Sequence, residues 1–329
     1  MDTGQKLTSI VAPYIEGLLA EKRALGYDYR SEELILSRFD RYCTSSGLDT
    51  VNITRDMING WMERTESESL FNQGKRISVA RQLLLYMASL GISVYIPQDF
   101  CHFEKKMPHI LSKGELSALF KEIDRYFPGG TGSRNRNLVR LSREYKVLFR
   151  MIYTCGLRNS EAAGLRASEI DLGTGALTIL NAKGQKDRLV YMAEDMALLC
   201  REYYGYICGE LGTEPRWFFP ALDPDKPLRN TAVDRRFADA WGKTAYAACC
   251  NDKPVVHDLR FTFVTNRNNQ WVESGEDIRV LLPYLSMYLG HKSISETHYY
   301  YHLTLDASRI AHEMDKTSGL VIPEVVSYE

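Results

Sequence analysis

Residues 153–172 read YTCGLRNSEAAGLRASEIDL, and how this stretch folds sets the architecture on either side of it. An apolar run that looks helpful to a long helix stops at Thr154-Cys155-Gly156, and a new helix is predicted to begin at Asn159 or Ser160. Arg158 then stands at a helix N-terminus, where backbone N–H groups and a guanidinium converge on an anion. Glu161, three residues on, is placed to buttress that arginine. Taken alone, the same pattern also describes an arginine that merely caps a loop.

Upstream lies SRNRNLVRLSREYKVLFR, residues 133–150, which carries Arg134, Arg136, Arg140, Arg143, Lys146 and Arg150 against Glu144 alone. It reads as a solvated helix face or as a surface for an anionic polymer. The formal net charge of −1 favours neither, because such a footprint is a local patch and not a sum. Before it, SKGELSALFKEIDRYF is predicted helical, with Ser112 and Glu115 in capping-box spacing. The connector YIPQDFCHFEKKMPHIL, 95–111, holds two prolines and the pair Lys105-Lys106, which places a domain boundary near 105. From about 7 to 95 the pattern predicts roughly four amphipathic helices, with Ser31 as an N-cap for one and Gly47 and Gly91 as stops. The expected layout is thus a mainly α chain: a helical domain over 1–105, then a mixed α/β domain over 106–329 that is mostly helical with a small antiparallel sheet.

Downstream, GALTILNAKGQKDRLVYM (175–192) predicts a β-hairpin with Lys183 and Lys186 at its tip. PVVHDLRFTFVTN (254–266) puts His257 and Arg260 at i and i+3, on one helix face, with Leu259, Phe261, Phe263 and Val264 on the buried side. YLGHKSISETHYYYH (288–302) turns at Gly290, presents His291, and runs on into Tyr299, Tyr300 and Tyr301. Consecutive helical positions diverge by about 100°, so at most one of these phenols can face a given point.

No stretch approaches the roughly 18 apolar residues of a membrane helix, and no P-loop or secretory leader is visible. Seven cysteines, an odd number without CxxC spacing, argue for a reducing cytoplasm and against a disulfide framework or a zinc knuckle. His298 and His302 share i, i+4 spacing, but no third ligand is apparent, so no metal is expected.

In order, GLRNSE, KGQKDR, HDLR, LGH and a tyrosine nine residues beyond that last histidine resemble the tyrosine recombinase (phage integrase) family. The resemblance implies Arg158, Lys183, His257, Arg260, His291 and the nucleophile Tyr300 as catalytic residues, with Glu161 behind them. It departs at Phe261, where members often carry histidine, and in the long run from Arg260 to His291, which is similar to recombinases of transposons and other mobile elements.

A phosphodiester transition state concentrates negative charge on its non-bridging oxygens. Without a metal or other cofactor, Arg158 and Arg260 would clamp it. The resemblance implies that Tyr300 leaves a covalent 3′-phosphotyrosine, that Lys183 (with Lys186 in reserve) protonates the 5′-hydroxyl, that His257 relays the phenol proton, and that His291 bonds the phosphate. Expected partners are double-stranded DNA with paired inverted sites and three further copies of the chain, forming a homotetramer. Lys105, Lys106, Arg134, Arg136, Arg140 and Arg143 are expected along the DNA backbone, and the apolar tail Leu320 to Val326 on a neighbouring subunit. The alternatives are a type IB topoisomerase-like relaxing enzyme and a catalytically silent DNA-binding regulator of the same fold.

Overall fold

The computed structural model describes residues 6–98, 107–126, 136–180, 187–291, 293 and 297. The chain divides into two compact units, Met1–Lys106 and Met107–Glu329.

In the first unit, α1 (Ala12–Ala24), α2 (Arg30–Ser45), α3 (Arg55–Met62) and α4 (Leu70–Ser89) enclose Ile15, Leu18, Leu36, Phe39, Ile58, Leu83 and Met87. Thr54 and Ser69 cap α3 and α4 through side-chain oxygens that accept from Met57 and Asn72 N–H. The expected cap at Ser31 is corrected. Helix α2 begins two residues earlier, after Tyr29, whose φ of 51° turns the chain into it, and the Ser31 hydroxyl donates to Glu32 instead. The Tyr29 ring packs against the core of this unit, which holds an unusual left-handed backbone in place of a polar cap.

The second unit opens with α5 (Lys113–Asp124), whose Ser112–Glu115 capping box forms as its spacing predicts. Helix α6 (Arg136–Cys155) runs through the core and hands over to the short α7 (Asn159–Ala163). Strands β1 (Ile170–Asp171), β2 (Ala176–Ile179) and β3 (Arg188–Tyr191) form an antiparallel sheet in the order β1-β2-β3. The hairpin is the predicted one. Strand β1 is too short to show any alternation in the sequence. Leu177 pairs with Val190 and Ile179 with Arg188, so Arg188 lies on the core face of the sheet. Four longer helices complete the described part of this unit: α8 (Glu194–Leu211), α9 (Asn230–Trp241), α10 (Val256–Glu273) and α11 (Ile278–Leu289). Leu119, Phe149, Ile152, Leu177, Phe219, Phe237 and Leu259 are among the residues that fill its core. No helix among the described residues is long and apolar enough to cross a membrane.

Candidate active site

The site is built where helices α6 and α11 stop and where α7, β3 and α10 start. Helix α6 ends at Gly156, whose φ of +62° reverses the chain; a Cβ there would lie 2.6 Å from the Phe263 ring. Two residues later Arg158 is the N-cap of α7, and its own N–H donates to Glu161 Oε2 at 2.9 Å. The Arg158 guanidinium donates to Glu161 Oε1 at 2.7 Å, as the i, i+3 spacing anticipates, and to Gly290 O at 3.1 Å.

Glu161 holds more than Arg158. Arg188 of β3 donates to both its oxygens, at 2.9 and 2.7 Å, and Arg260 of α10 lies 3.9 Å from Oε2. Burial pushes the Glu161 carboxyl up, but Arg188 and Arg158 outweigh it and hold the group down at about 2. Arg188 is a site residue that the sequence reading did not single out. Its signal was the arginine closing KGQKDR, two positions before the inward Val190, which the period of a strand places on the core face.

The end of α11 supplies the other half. The last carbonyls of a helix have no partner within it, and here three arginines take them. Arg188 Nε donates to Tyr288 O at 2.8 Å, Arg260 Nη2 to Leu289 O at 2.7 Å, and Arg158 Nη2 to Gly290 O. Arg260 also donates to Gly156 O at 2.7 Å, which ties the end of α6 to the end of α11. The negative end of the α11 dipole thus faces the guanidinium groups. Gly290 has a φ of +66°, and a Cβ there would come within 3.1 Å of Arg188 Nη1. Three guanidiniums against one carboxylate leave an excess of positive charge, which suits a bound anion.

His291 is buried beside them. Arginine has only donors, so the 3.0 Å contact between Arg260 Nη2 and His291 Nε2 makes Nε2 the acceptor. Nδ1 therefore carries the proton and donates to Thr297 Oγ1 at 2.7 Å. Burial, then the charges of Arg260, Arg158 and Arg188, lower the imidazole to about 3, so the ring is neutral at physiological pH. His257 is half-buried at the start of α10, one turn before Arg260, with its ring edge-on to Phe261 at 4.9 Å. The structure therefore brings together Arg158, Glu161, Arg188, Arg260 and His291. Lys183, Lys186 and Tyr300 lie outside the described residues, as do Lys105, Lys106, Arg134, the tail Leu320 to Val326 and the side chain of Arg136.

One expected DNA contact is corrected. Arg140 is 1 % exposed; it pairs with Glu144 and donates to the carbonyls of Pro220 (3.0 Å) and Ala221. Burial raises the Glu144 carboxyl, and the adjacent guanidinium opposes that shift. Residues four apart share a helix face, so the acid in this basic stretch and its arginine turn inward together. Arg143 is exposed, its guanidinium 3.9 Å from the Tyr206 ring centroid.

A sequence match to the phage integrase family covers residues 113–306, more than half of the chain. The chain belongs to the phage integrase family. It is a tyrosine-type site-specific recombinase, in line with relatives along nearly its whole length. The tyrosine recombinase XerD of Rickettsia conorii is 24 % identical over 324 residues, 93 % of this chain and 99 % of that one. A protein of Sinorhizobium fredii named as an integrase/recombinase is 28 % identical over 301 residues, 88 % of this chain and 90 % of that one. Among solved structures, the Tn1549 transposon integrase in complex with a circular intermediate DNA has the same fold. Its TM-score is 0.61 at 17 % identity, with 91 % of this chain and 98 % of that one covered. Within this integrase family fold, the family match takes in the three arginines, His291 and Tyr300.

Proposed function

We propose that this recombinase cuts and rejoins double-stranded DNA through a covalent 3′-phosphotyrosine at Tyr300, without metal or ATP, in the service of a mobile element. The observation that carries the reading is the convergence of Arg158, Arg188 and Arg260 on Glu161 and on the end of α11. These groups supply fixed positive charge where a metal ion would otherwise be needed, and pre-organised charge of this kind is worth several kcal/mol in a transition state. Arg158 and Arg260 clamp the scissile phosphate. Glu161 and Arg188 position them, since both are nearly buried and engaged with one another.

Tyr300 attacks phosphorus; the P–O bond to the 5′-oxygen breaks, and Lys183 protonates that oxygen. His257 takes up the phenol proton. His291 stands beside the phosphate, and because its Nε2 accepts from Arg260, its part before DNA arrives is to hold that guanidinium. The phosphotyrosine keeps the energy of the broken bond, so the reverse attack by a 5′-hydroxyl rejoins the strand. Exchange between two duplexes needs four such cuts, hence a tetramer on paired inverted sites, with the tail Leu320 to Val326 docked on a neighbouring copy. The long segment between Arg260 and His291 and the fold shared with a transposon integrase support the mobile-element role. The odd cysteine count supports action in the reducing cytoplasm.

The test uses nicked suicide DNA from the junctions flanking the gene, incubated in EDTA with wild type and with Tyr300→Phe. A covalent protein–DNA band that the variant loses, with the adduct mapped to Tyr300, is expected. An adduct on Tyr299 or Tyr301, or a band that appears only with added metal, would overturn the reading.

A further inference from the structure

Away from the arginine cluster, a cysteine, a histidine and a glutamate line up in series. Cys250 Sγ lies 3.8 Å from His109 Nδ1, and His109 Nε2 lies 2.9 Å from Glu115 Oε1. A carboxylate only accepts, so Nε2 carries a proton, and in the neutral ring Nδ1 offers its lone pair to the thiol. This is the order of a nucleophile, a base and a group that orients the base. Glu115 is itself fixed by the α5 cap, where it accepts from the Ser112 N–H and hydroxyl, both at 2.8 Å. The His109 ring also meets Trp241 edge-on at 5.8 Å. The series meets a neighbouring cleft of about 420 Å³ through Trp241, which lines it with Thr244, Ala247, Lys253 and Pro254.

We infer that Cys250 is a reactive thiol, activated by His109 and Glu115, and that it takes small peroxides as its substrate. His109 Nδ1 removes the thiol proton, and the sulfur attacks one peroxide oxygen. The O–O bond breaks, and the departing oxygen recovers the proton from His109 as water, or as an alcohol from an alkyl hydroperoxide. Sulfur is oxidised to a sulfenic acid and the peroxide is reduced, so the step balances without another reactant.

The other described thiols differ. Cys43, Cys155 and Cys200 are buried, and burial pushes each thiol upward, Cys43 to about 12 and Cys155 to about 11. Cys249 is exposed, and Cys208 is half-buried on α8. The single Cys250 S–H donates to Asp252 O at 3.0 Å before reaction, and the inferred step has it turn to His109 Nδ1, 3.8 Å from the sulfur. The thiol sits in the segment leading into α10, and the same stretch as His109 is tied to α10 by Leu111 N–H donating to Thr262 Oγ1 at 3.0 Å.

Full-length protein is treated with hydrogen peroxide in the presence of dimedone, and the adducts are mapped and timed by mass spectrometry. Cys250 is expected to label on the order of tenfold faster than Cys208 or Cys249. That rate should fall on the order of tenfold in His109→Gln and in Glu115→Gln, since a positioned base contributes at least that much. Glu115→Gln keeps the helix cap, so it reads the relay even where the histidine variant fails to fold. Equal rates at Cys208, Cys249 and Cys250 would overturn the assignment. So would a Cys250 rate unchanged in Glu115→Gln with the melting midpoint retained. Neither readout depends on DNA or on Tyr300.

Discussion

Glu161 is 6 % exposed at its side chain and is the carboxylate shared by Arg158 and Arg188, with Arg260 close by. Glu161→Gln keeps the shape and removes the charge, leaving those guanidiniums to repel one another in a site with little water. Removing one partner of a buried pair destabilises by about 3–5 kcal/mol, and a loss in that range is expected in urea unfolding; a change below about 1 kcal/mol would show that the cluster is solvated. His291 gives a pH signature of its own. Its imidazole is lowered from the ordinary value of 6.5 to about 3, so below 6.5 the unfolded chain binds a proton that the folded chain refuses. The stability it contributes is complete above 6.5 and is lost as pH falls toward 3. Glu161, held at about 2, begins to lose its own contribution only below its ordinary 4.5. Between pH 6.5 and 4.5 the slope of stability against pH should therefore drop in His291→Asn, by up to ~1.4 kcal/mol per pH unit. Equal slopes for the two proteins would mean that His291 is protonated in the fold. Arg158 and His291 were legible because each follows a glycine that ends a helix, and Arg260 because it stands one helical turn after His257. Arg188 was legible only as a letter in a motif, because its partner is 27 positions away and strand pairing had to bring them together.

At the scale of the element, α6 shows how composition misleads. Its basic residues look alike in the sequence, yet Arg140 is buried on Glu144 and on the carbonyls of Pro220 and Ala221, while Arg143 is exposed. The Glu144 spacing was visible, but the carbonyls that complete the arrangement lie 80 and 81 positions away. The two arginines should separate cleanly by measurement. Arg140→Ala strands a buried carboxylate, and a stability loss of about 3–5 kcal/mol is expected, with the salt dependence of DNA binding unchanged. Arg143→Ala forfeits an exposed cation–π contact of about 0.5–1 kcal/mol, and if it meets a phosphate, the slope of log K against log salt should shrink by ~0.9. A reversed pattern, with Arg140→Ala changing the slope, would mean that α6 rotates when DNA binds. The glycines at 156 and 290 belong to this scale as well: the turns were readable, but the reason they exclude a Cβ lies in Phe263 and Arg188, which only the fold delivers.

For the molecule as a whole, the two units have separate cores, Ile15, Phe39 and Leu83 in one and Leu119, Phe149 and Phe237 in the other. The described site residues, Arg158, Glu161, Arg188, Arg260 and His291, all belong to the second unit. A unit with its own core and its own hydrogen-bonded site should fold alone. Expressed separately, residues 107–329 are expected to unfold in one cooperative transition and to form the Tyr300 adduct on nicked DNA in EDTA. Binding should be weaker and less dependent on salt than in the full chain, because any phosphate contacts of residues 1–106 are gone. A fragment that folds cooperatively but yields adduct only when residues 1–106 are added in trans would place part of the catalytic apparatus in the first unit. A fragment that binds ANS and shows no cooperative transition would mean that its core depends on the first unit, and the division of labour between the two would have to be redrawn.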